Sequence, residues 1–159
     1  MAFRRPVTYV VPGLGIWSKA VMPDDKAAYE RAKTIEHVDA LYDSYLIDLA
    51  YKYLVRHKES DDAEILWRLA RITCDKAKLA KDKPLEREAG MREAFEYVKR
   101  ALELDNNNWA VHKWYAILLN YTAEYDGTKA VITAALTVKK HFEKALELNP
   151  SDATTCHLL

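Results

Sequence analysis

The chain has 159 residues, of which half are hydrophobic and 30% charged, with 24 basic against 24 acidic side chains. That balance belongs to one soluble globular domain, long enough to bury roughly two-thirds of its unfolded surface. Zero net charge gives no argument for nucleic acid or a membrane surface, and no apolar stretch approaches the roughly 20 residues that span a bilayer.

The first element, "MAFRRPVTYVVPGLGIWSKAV", carries Arg4, Arg5 and Lys19 and no acid before Asp24. Pro6, Pro12, Gly13 and Gly15 interrupt what would have to be an unbroken apolar core in a secretory signal. Residues 1–23 are read as an arm and 24–159 as the domain. Mitochondrial targeting is the alternative for the arm. An interfacial anchor through Phe3, Tyr9, Val10, Val11 and Trp17 would bring membrane association with it.

From Asp24 onward there are two glycines, Gly90 and Gly127, and two prolines, Pro84 and Pro150. Apolar residues recur at three and four, as in Ala63, Leu66, Trp67, Ala70 and Cys74, or Ala94, Tyr97, Val98, Ala101 and Leu102, so an all-α chain is predicted. Caps and breakers set the cuts. Asp24 and Asp25 open a first helix towards Leu41, and "DSYLIDLAYKYLVRH" forms a second to about His57. Ser60, Asp61 and Asp62 cap a third running to about Lys81. Pro84 begins a fourth that reaches Leu104. Asn106 to Asn108 cap a fifth ending near Glu124, and Asp126 and Gly127 turn into a sixth, closed by Asn149 and Pro150. Ser151 and Asp152 cap a seventh. Short connections make successive helices antiparallel hairpins.

Charge is unevenly spread: residues 24–64 hold 11 acids and 6 bases, residues 65–100 hold 10 bases and 6 acids. The second stretch is either a solvated helix face or a basic strip for an acidic partner. Cys74 and Cys156 are lone, without a CxxC pair. They are expected to be reduced, buried thiols of a cytosolic protein rather than a disulfide or zinc framework.

One phrase is written twice, "KRALELDNN" at 99–107 and "EKALELNPS" at 143–151. Hairpins begin at Ala63, Trp109 and Ala153, at intervals of 46 and 44 residues, the signature of stacked units that cannot bury their faces alone. "ALELNP" resembles the end of a tetratricopeptide repeat. "AEILWRLA" and "WAVHKWYA" resemble first halves, with Ala70 and Ala116 at the small-residue position. The expected fold is therefore an elongated tetratricopeptide-like superhelix of stacked antiparallel hairpins. Its period exceeds the family's usual 34 by ten or more, with the extra turns expected between the two halves of a repeat, where Gly90 and residues 127–140 lie. The longer words "DALYDS", "SDDAEILWRLAR", "HKWYAI" and "HFEKALELNPSDAT" look like the regulator of microtubule dynamics family over roughly residues 35–157. That family has a glycine turn after "DALYDS", whereas here "YLIDLAYKYL" follows, which leaves the first helix boundary open. Ser151 to Leu159 open a third repeat, so the sequence is expected to be an N-terminal fragment whose last apolar segment pairs with a neighbouring molecule or lies poorly covered.

No catalytic constellation is visible. There is no HExxH, GxSxG or GxGxxG, and "PGLG" at 12–15 lacks a strand–helix frame. Glu36 and His37 are adjacent in sequence and point apart on a helix. "ESDDAE" at 59–64 reads as a helix cap, without calcium-loop spacing. No enzyme, cofactor, metal or nucleic-acid partner is expected.

The repeat resemblance implies a concave groove holding Glu64, Trp67, Arg71, Cys74 and Asp75 from one repeat. The next contributes Ala110, Lys113, Ile117, Asn120 and Tyr121, and the third contributes His157. Trp67, Arg71, Lys113, Asn120, Tyr121 and His157 are the candidate contacts for a protein or peptide ligand, although Trp67 equally suits the core. Trp109 and Trp114 read as packing. The family resemblance implies a non-catalytic module binding microtubules, in the cytoplasm, on the cytoskeleton and spindle, with a role in chromosome segregation. Arg68, Arg71, Lys76, Lys78, Arg87, Arg92, Lys99 and Arg100 are candidates for contact with acidic tubulin. The alternatives are a peptide-binding adaptor with indirect filament contact, and a lipid- or membrane-contact module.

Overall fold

The structure, a computed structural model, describes residues 23–159, with side chains from Lys26 onward. Residues 1–22 of the arm, and the roles proposed for it, lie outside the described residues, while Pro23 already belongs to the first helix. By compactness the chain divides at Thr34/Ile35. Of the first unit, the described part is the opening of helix α1 (Pro23–Asp43), where residues 26–33 are exposed. The second unit, Ile35–Leu159, holds the core.

Beyond α1 the order is α2 (Ile47–Leu54) with a 3-10 turn at Val55–His57, α3 (Ala63–Leu79), α4 (Pro84–Leu104), α5 (Trp109–Asp126), α6 (Thr128–Leu148) and α7 (Ala153–Leu158). No strand occurs among the described residues. The chain is all-α and repeat-like: α3 pairs with α4, α5 pairs with α6, and α4 packs on α5 to join the two hairpins. α3 is the centre. Leu66, Leu69 and Ile72 are fully buried there, against Leu54, Met91, Val98, Val111 and Leu118 from its neighbours.

The duplicated phrase has a structural meaning. α4 ends at Leu104, and the Asp105 side chain accepts the Asn107 N–H at 2.9 Å; α6 ends at Leu148, and Asn149 accepts the Ser151 N–H at 3.3 Å. In each copy the next residue, Asn108 or Asp152, then caps the following helix, accepting from Ala110 N–H or Thr155 N–H. Asp62 does the same for α3 through Glu64 N–H at 2.9 Å. A short polar side chain that folds onto its own backbone both stops one helix and starts the next, which is why the phrase recurs at the repeat spacing.

Two details differ from the sequence expectation. The second helix does not begin at Asp43. α1 stops there because Tyr45 takes a left-handed backbone, φ 58°, letting the Leu46 N–H reach back to the Leu41 carbonyl at 3.0 Å. This is the turn that glycine usually makes, here occupied by an 89%-exposed tyrosine. The extra repeat length, moreover, is not inserted between the helices: α4 and α6 are 21 residues each, and Gly127 alone joins α5 to α6. Gly90 sits inside α4, where a Cβ would lie 2.8 Å from Ala77 Cβ, so it marks the close approach of α3 and α4.

Small residues do the same elsewhere; Ala70, Ala94, Ala101, Ala116 and Ala145 have no exposed surface. The amino-terminal part of α6 is covered far less, with Ile132 and Leu136 71% and 73% exposed. Cys74 is buried as expected, whereas Cys156 is exposed. The reason is that Cys156 lies on the outer side of α7, while Thr155 points inward with no exposed surface.

Candidate functional site

The polar frame starts at Asp39 on α1. Its carboxylate takes the Arg68 guanidinium through Nε and Nη2, at 2.8 to 3.0 Å, and Arg71 Nη2 at 2.8 Å. Arg71 also lies over the Tyr42 ring at 3.7 Å and near the Trp67 ring at 5.1 Å. One turn on, Tyr42 donates its hydroxyl to Asp75 at 2.6 Å, and Lys78 donates to the other Asp75 oxygen at 2.9 Å. Burial first, then the hydrogen bond to Asp75, lifts the Tyr42 phenol well above its ordinary value. These contacts hold α1 across α3 and present a row of rings and cations on one side.

Glu64 ties the repeats together. Burial alone would raise its carboxyl, but hydrogen bonds from Arg68, Trp67 and Asn108 outweigh this and hold it below the usual range. Asn108 is the cap of α5, so the start of one repeat is bonded to the start of the next. The third repeat start is secured similarly. Lys113 on α5 reaches both oxygens of Asp152, at 3.1 and 3.2 Å, with the two side chains only 12% and 13% exposed. Burial raises the Asp152 carboxyl, and bonds from Thr155 and Lys113 more than reverse that.

Between these ties lies a cleft of about 460 Å³, lined chiefly by α3 and α5, with Tyr42 of α1 at one side and Thr154 and Leu158 of α7 at another. Of the predicted groove residues, Trp67, Arg71, Asp75, Ala110, Lys113, Ile117 and Tyr121 line it. Trp67 is mostly core, 8% exposed, and donates its indole N–H to Glu64 at 3.1 Å. Cys74 is wholly buried behind the wall, and burial pushes its thiol up to about 11. Glu64 faces the neighbouring cap instead of the cleft.

Asn120 and His157 do not join the lining. Asn120 points outward and bonds Glu124 at 2.8 Å, and α7 supplies Thr154 and Leu158 instead of the exposed His157. His157 lies about 100° around α7 from Leu158, which turns it away, whereas Asn120 is drawn off the lining by its bond to Glu124.

Trp109, Trp114, Tyr42 and Lys78 also face the cleft, and sequence reasoning had assigned none of them there. The signal was present on α5: Trp109, Lys113, Ile117 and Tyr121 fall at successive steps of four, one continuous stripe. Tyr42 carries no such signal, because α1 reaches the cleft only through the tertiary fold.

The basic strip is largely compensated by its own chain. Arg68 is buried between Asp39 and Glu64 and is thereby withdrawn from any filament contact. Lys76 lies over the Tyr51 ring at 3.7 Å. Arg87 has its Nε buried without a hydrogen-bond partner. Arg92 pairs with Glu88 and Asp126 at 2.8 and 2.7 Å, and Lys99 pairs with Glu96 at 2.6 Å. Arg100 donates to the Lys58 and Ser60 carbonyls, at 2.7 and 3.3 Å, close to Asp61.

A second, larger opening of about 780 Å³ is lined by residues of α4, α5 and α6, among them Phe95, Tyr115, Thr133, Ala134 and Thr137. Among the described residues no group of three or more His, Cys, Asp or Glu is placed to hold a metal ion.

A family profile described as "Regulator of microtubule dynamics protein 1-3" matches residues 34–159. The chain belongs to this family. Regulator of microtubule dynamics protein 1 of Bos taurus is 46% identical over 143 residues, 89% of this chain and 45% of that protein. Its Pongo abelii counterpart is 44% identical over 149 residues, 92% of this chain and 48% of that protein. Regulator of microtubule dynamics protein 3 of Xenopus laevis is 37% identical over 99 residues, 62% of this chain and 21% of that protein. The chain spans about half the length of the protein 1 relatives it matches. Every residue of the α3–α5 cleft, from Tyr42 to Leu158, falls inside the segment shared with the regulator of microtubule dynamics family. No helix among the described residues is long and apolar enough to cross a membrane.

Proposed function

We propose that the chain is a non-catalytic interaction module that serves the regulation of microtubules by binding a partner protein in the α3–α5 cleft, with filament contact running through that partner. The observation that carries this reading is the contrast between the two surfaces. The cleft gathers aromatic rings from three helices into one concavity, the kind of place where a few residues supply most binding energy. The basic residues, by contrast, are mostly engaged with carboxylates, carbonyls or rings of the same chain, and exposed ion pairs of that kind contribute little. Location on the cytoskeleton and spindle would follow from the partner.

Direct filament contact is the second reading. It is favoured by Arg92, Lys99 and Arg100, whose side chains remain 37% to 43% exposed despite their partners. Co-sedimentation of the chain with purified microtubules, at low and near-physiological salt, separates the two. No pelleting by the chain alone, restored when a bound partner is added, is the expected result. Pelleting by the chain alone that fades with salt would establish the second reading and overturn the first.

A further inference from the structure

Counter-charge decides what the cleft can take. Three cations face it, Arg71, Lys78 and Lys113. Each already has a carboxylate of the same chain: Asp39 at 2.8 Å, Asp75 at 2.9 Å and Asp152 at 3.1 Å. Each also lies against an aromatic ring, of Tyr42, Tyr121 and Trp109 respectively. The array is neutral. An anion arriving there gains no net attraction, and to bind it must displace a carboxylate that is then left partly buried and unpaired, a poor exchange. A cation is refused for the mirror reason. Of the three carboxylates Asp75 is the one that lines the cleft itself, and its pair with Lys78 still offers a spare N–H beside a spare oxygen lone pair, which matches the C=O and N–H of a peptide group. Trp109, Trp114, Ile117 and Leu158 add apolar surface to the same lining.

Resting on the reading of the cleft as a partner site, we infer that its ligand is an uncharged, extended peptide segment. A backbone amide sits on the Lys78–Asp75 pair, and proline, aromatic or branched aliphatic side chains sit against Trp109, Trp114 and Ile117. The opening, about 460 Å³, accepts a few side chains of a segment and excludes a folded surface. Aromatic grooves recognise extended proline-rich segments in this way, because such segments lose little conformational entropy on binding. Affinity is then nearly independent of salt, since no net charge is neutralised.

Panning a phage-displayed random-peptide library on the 159-residue chain tests this without presuming a sequence. The expected selection is uncharged and rich in Pro, Trp, Phe and Leu, with affinity changing less than about twofold between low and high salt. Two substitutions should each weaken the selected peptides about tenfold or more, Ile117→Ser and Leu158→Arg. Leu158 is 45% exposed, so its replacement leaves the fold intact even where Ile117→Ser does not. Acidic peptides that bind in the cleft and are lost with salt would overturn the inference while leaving the partner-site reading standing. No selected peptide, or peptides indifferent to both substitutions, would remove the cleft reading and the inference together.

Discussion

Tyr45 and Gly90 are each the less usual residue for the backbone they occupy, and the sign of each substitution follows from magnitudes. A left-handed backbone costs a side-chain-bearing residue about 1–2 kcal/mol, against about 0.5–1 kcal/mol of extra unfolded-state entropy for glycine. Tyr45 is exposed and loses little by removal. Tyr45→Gly is therefore expected to raise stability by about 0.5–1 kcal/mol, measurable as a higher denaturation midpoint. Gly90→Ala runs the other way. The gain in helix propensity is about 1 kcal/mol, but the new Cβ would meet Ala77 Cβ at 2.8 Å. No flexible side-chain end can yield there, so overpacking of about 1–3 kcal/mol wins. Thermal melts should show Gly90→Ala less stable than the parent.

His141 adds a pH dependence. His112 Nε2–H donates to the Asn106 carbonyl at 2.8 Å, so its Nδ1 accepts the His141 Nδ1–H, also at 2.8 Å. Burial, and then the neighbouring His112, hold the His141 imidazole down to about 4, from 6.5. Below pH 6.5 the unfolded chain takes up a proton that the folded chain refuses, so stability is full above that pH and declines as pH falls towards 4. Melting temperatures across this window should drop for the parent and change less for His141→Gln; equal slopes would dismiss the assignment.

Among the elements, α1 and α7 are each tied down by an ion pair, α1 through Asp39 and α7 through Asp152. Asp39 is the one carboxylate serving both Arg68 and Arg71. Stranding buried guanidinium groups costs about 3–5 kcal/mol when both partners are enclosed. Asp39 is 34% exposed and Arg68 keeps Glu64, which brings the expected loss for Asp39→Asn to about 2 kcal/mol by chemical denaturation. Asp152 does two jobs, capping α7 and holding Lys113. Asp152→Ala should cost about 1 kcal/mol for the cap and more for the stranded lysine. Hydrogen exchange would show the loss confined to α7; protection unchanged over residues 153–158 would mean that Thr155 alone seats that helix.

For the whole molecule, the proposed service to microtubule regulation would be delivered by a chain with no net charge and with the basic residues of its strip largely paired. Charge reversal at Arg87, Arg92 and Lys99 together is expected to leave partner capture by the cleft untouched. Leu158→Arg should abolish that capture while leaving the circular dichroism spectrum and melting profile of the parent. If the triple reversal instead removed filament association by the chain alone, α4 and not the cleft would be the working surface.

The all-helical class, the starts and stops of the helices from α3 onward, and the repeat itself were legible in the sequence because they rest on local chemistry, whereas the turn at Tyr45 was not. Asp62, Asn108 and Asp152 cap their helices through bonds to residues two or three positions away. The phrase "LELDNN" or "LELNPS" needs no distant partner to make its turn. The stripe of Lys113, Ile117 and Tyr121 was legible for the same reason, since spacing on one helix fixes a face. The tertiary structure alone decided what those faces meet. That Arg68 is buried and Arg71 clamped depends on Asp39, 29 and 32 positions away. That Lys78 belongs to the cleft and not to a filament-facing strip depends on where α5 and Tyr42 lie. Charge can be counted in a sequence, but whether a charge is free depends on what stands opposite, and in this chain the opposing carboxylate is often a different helix's contribution.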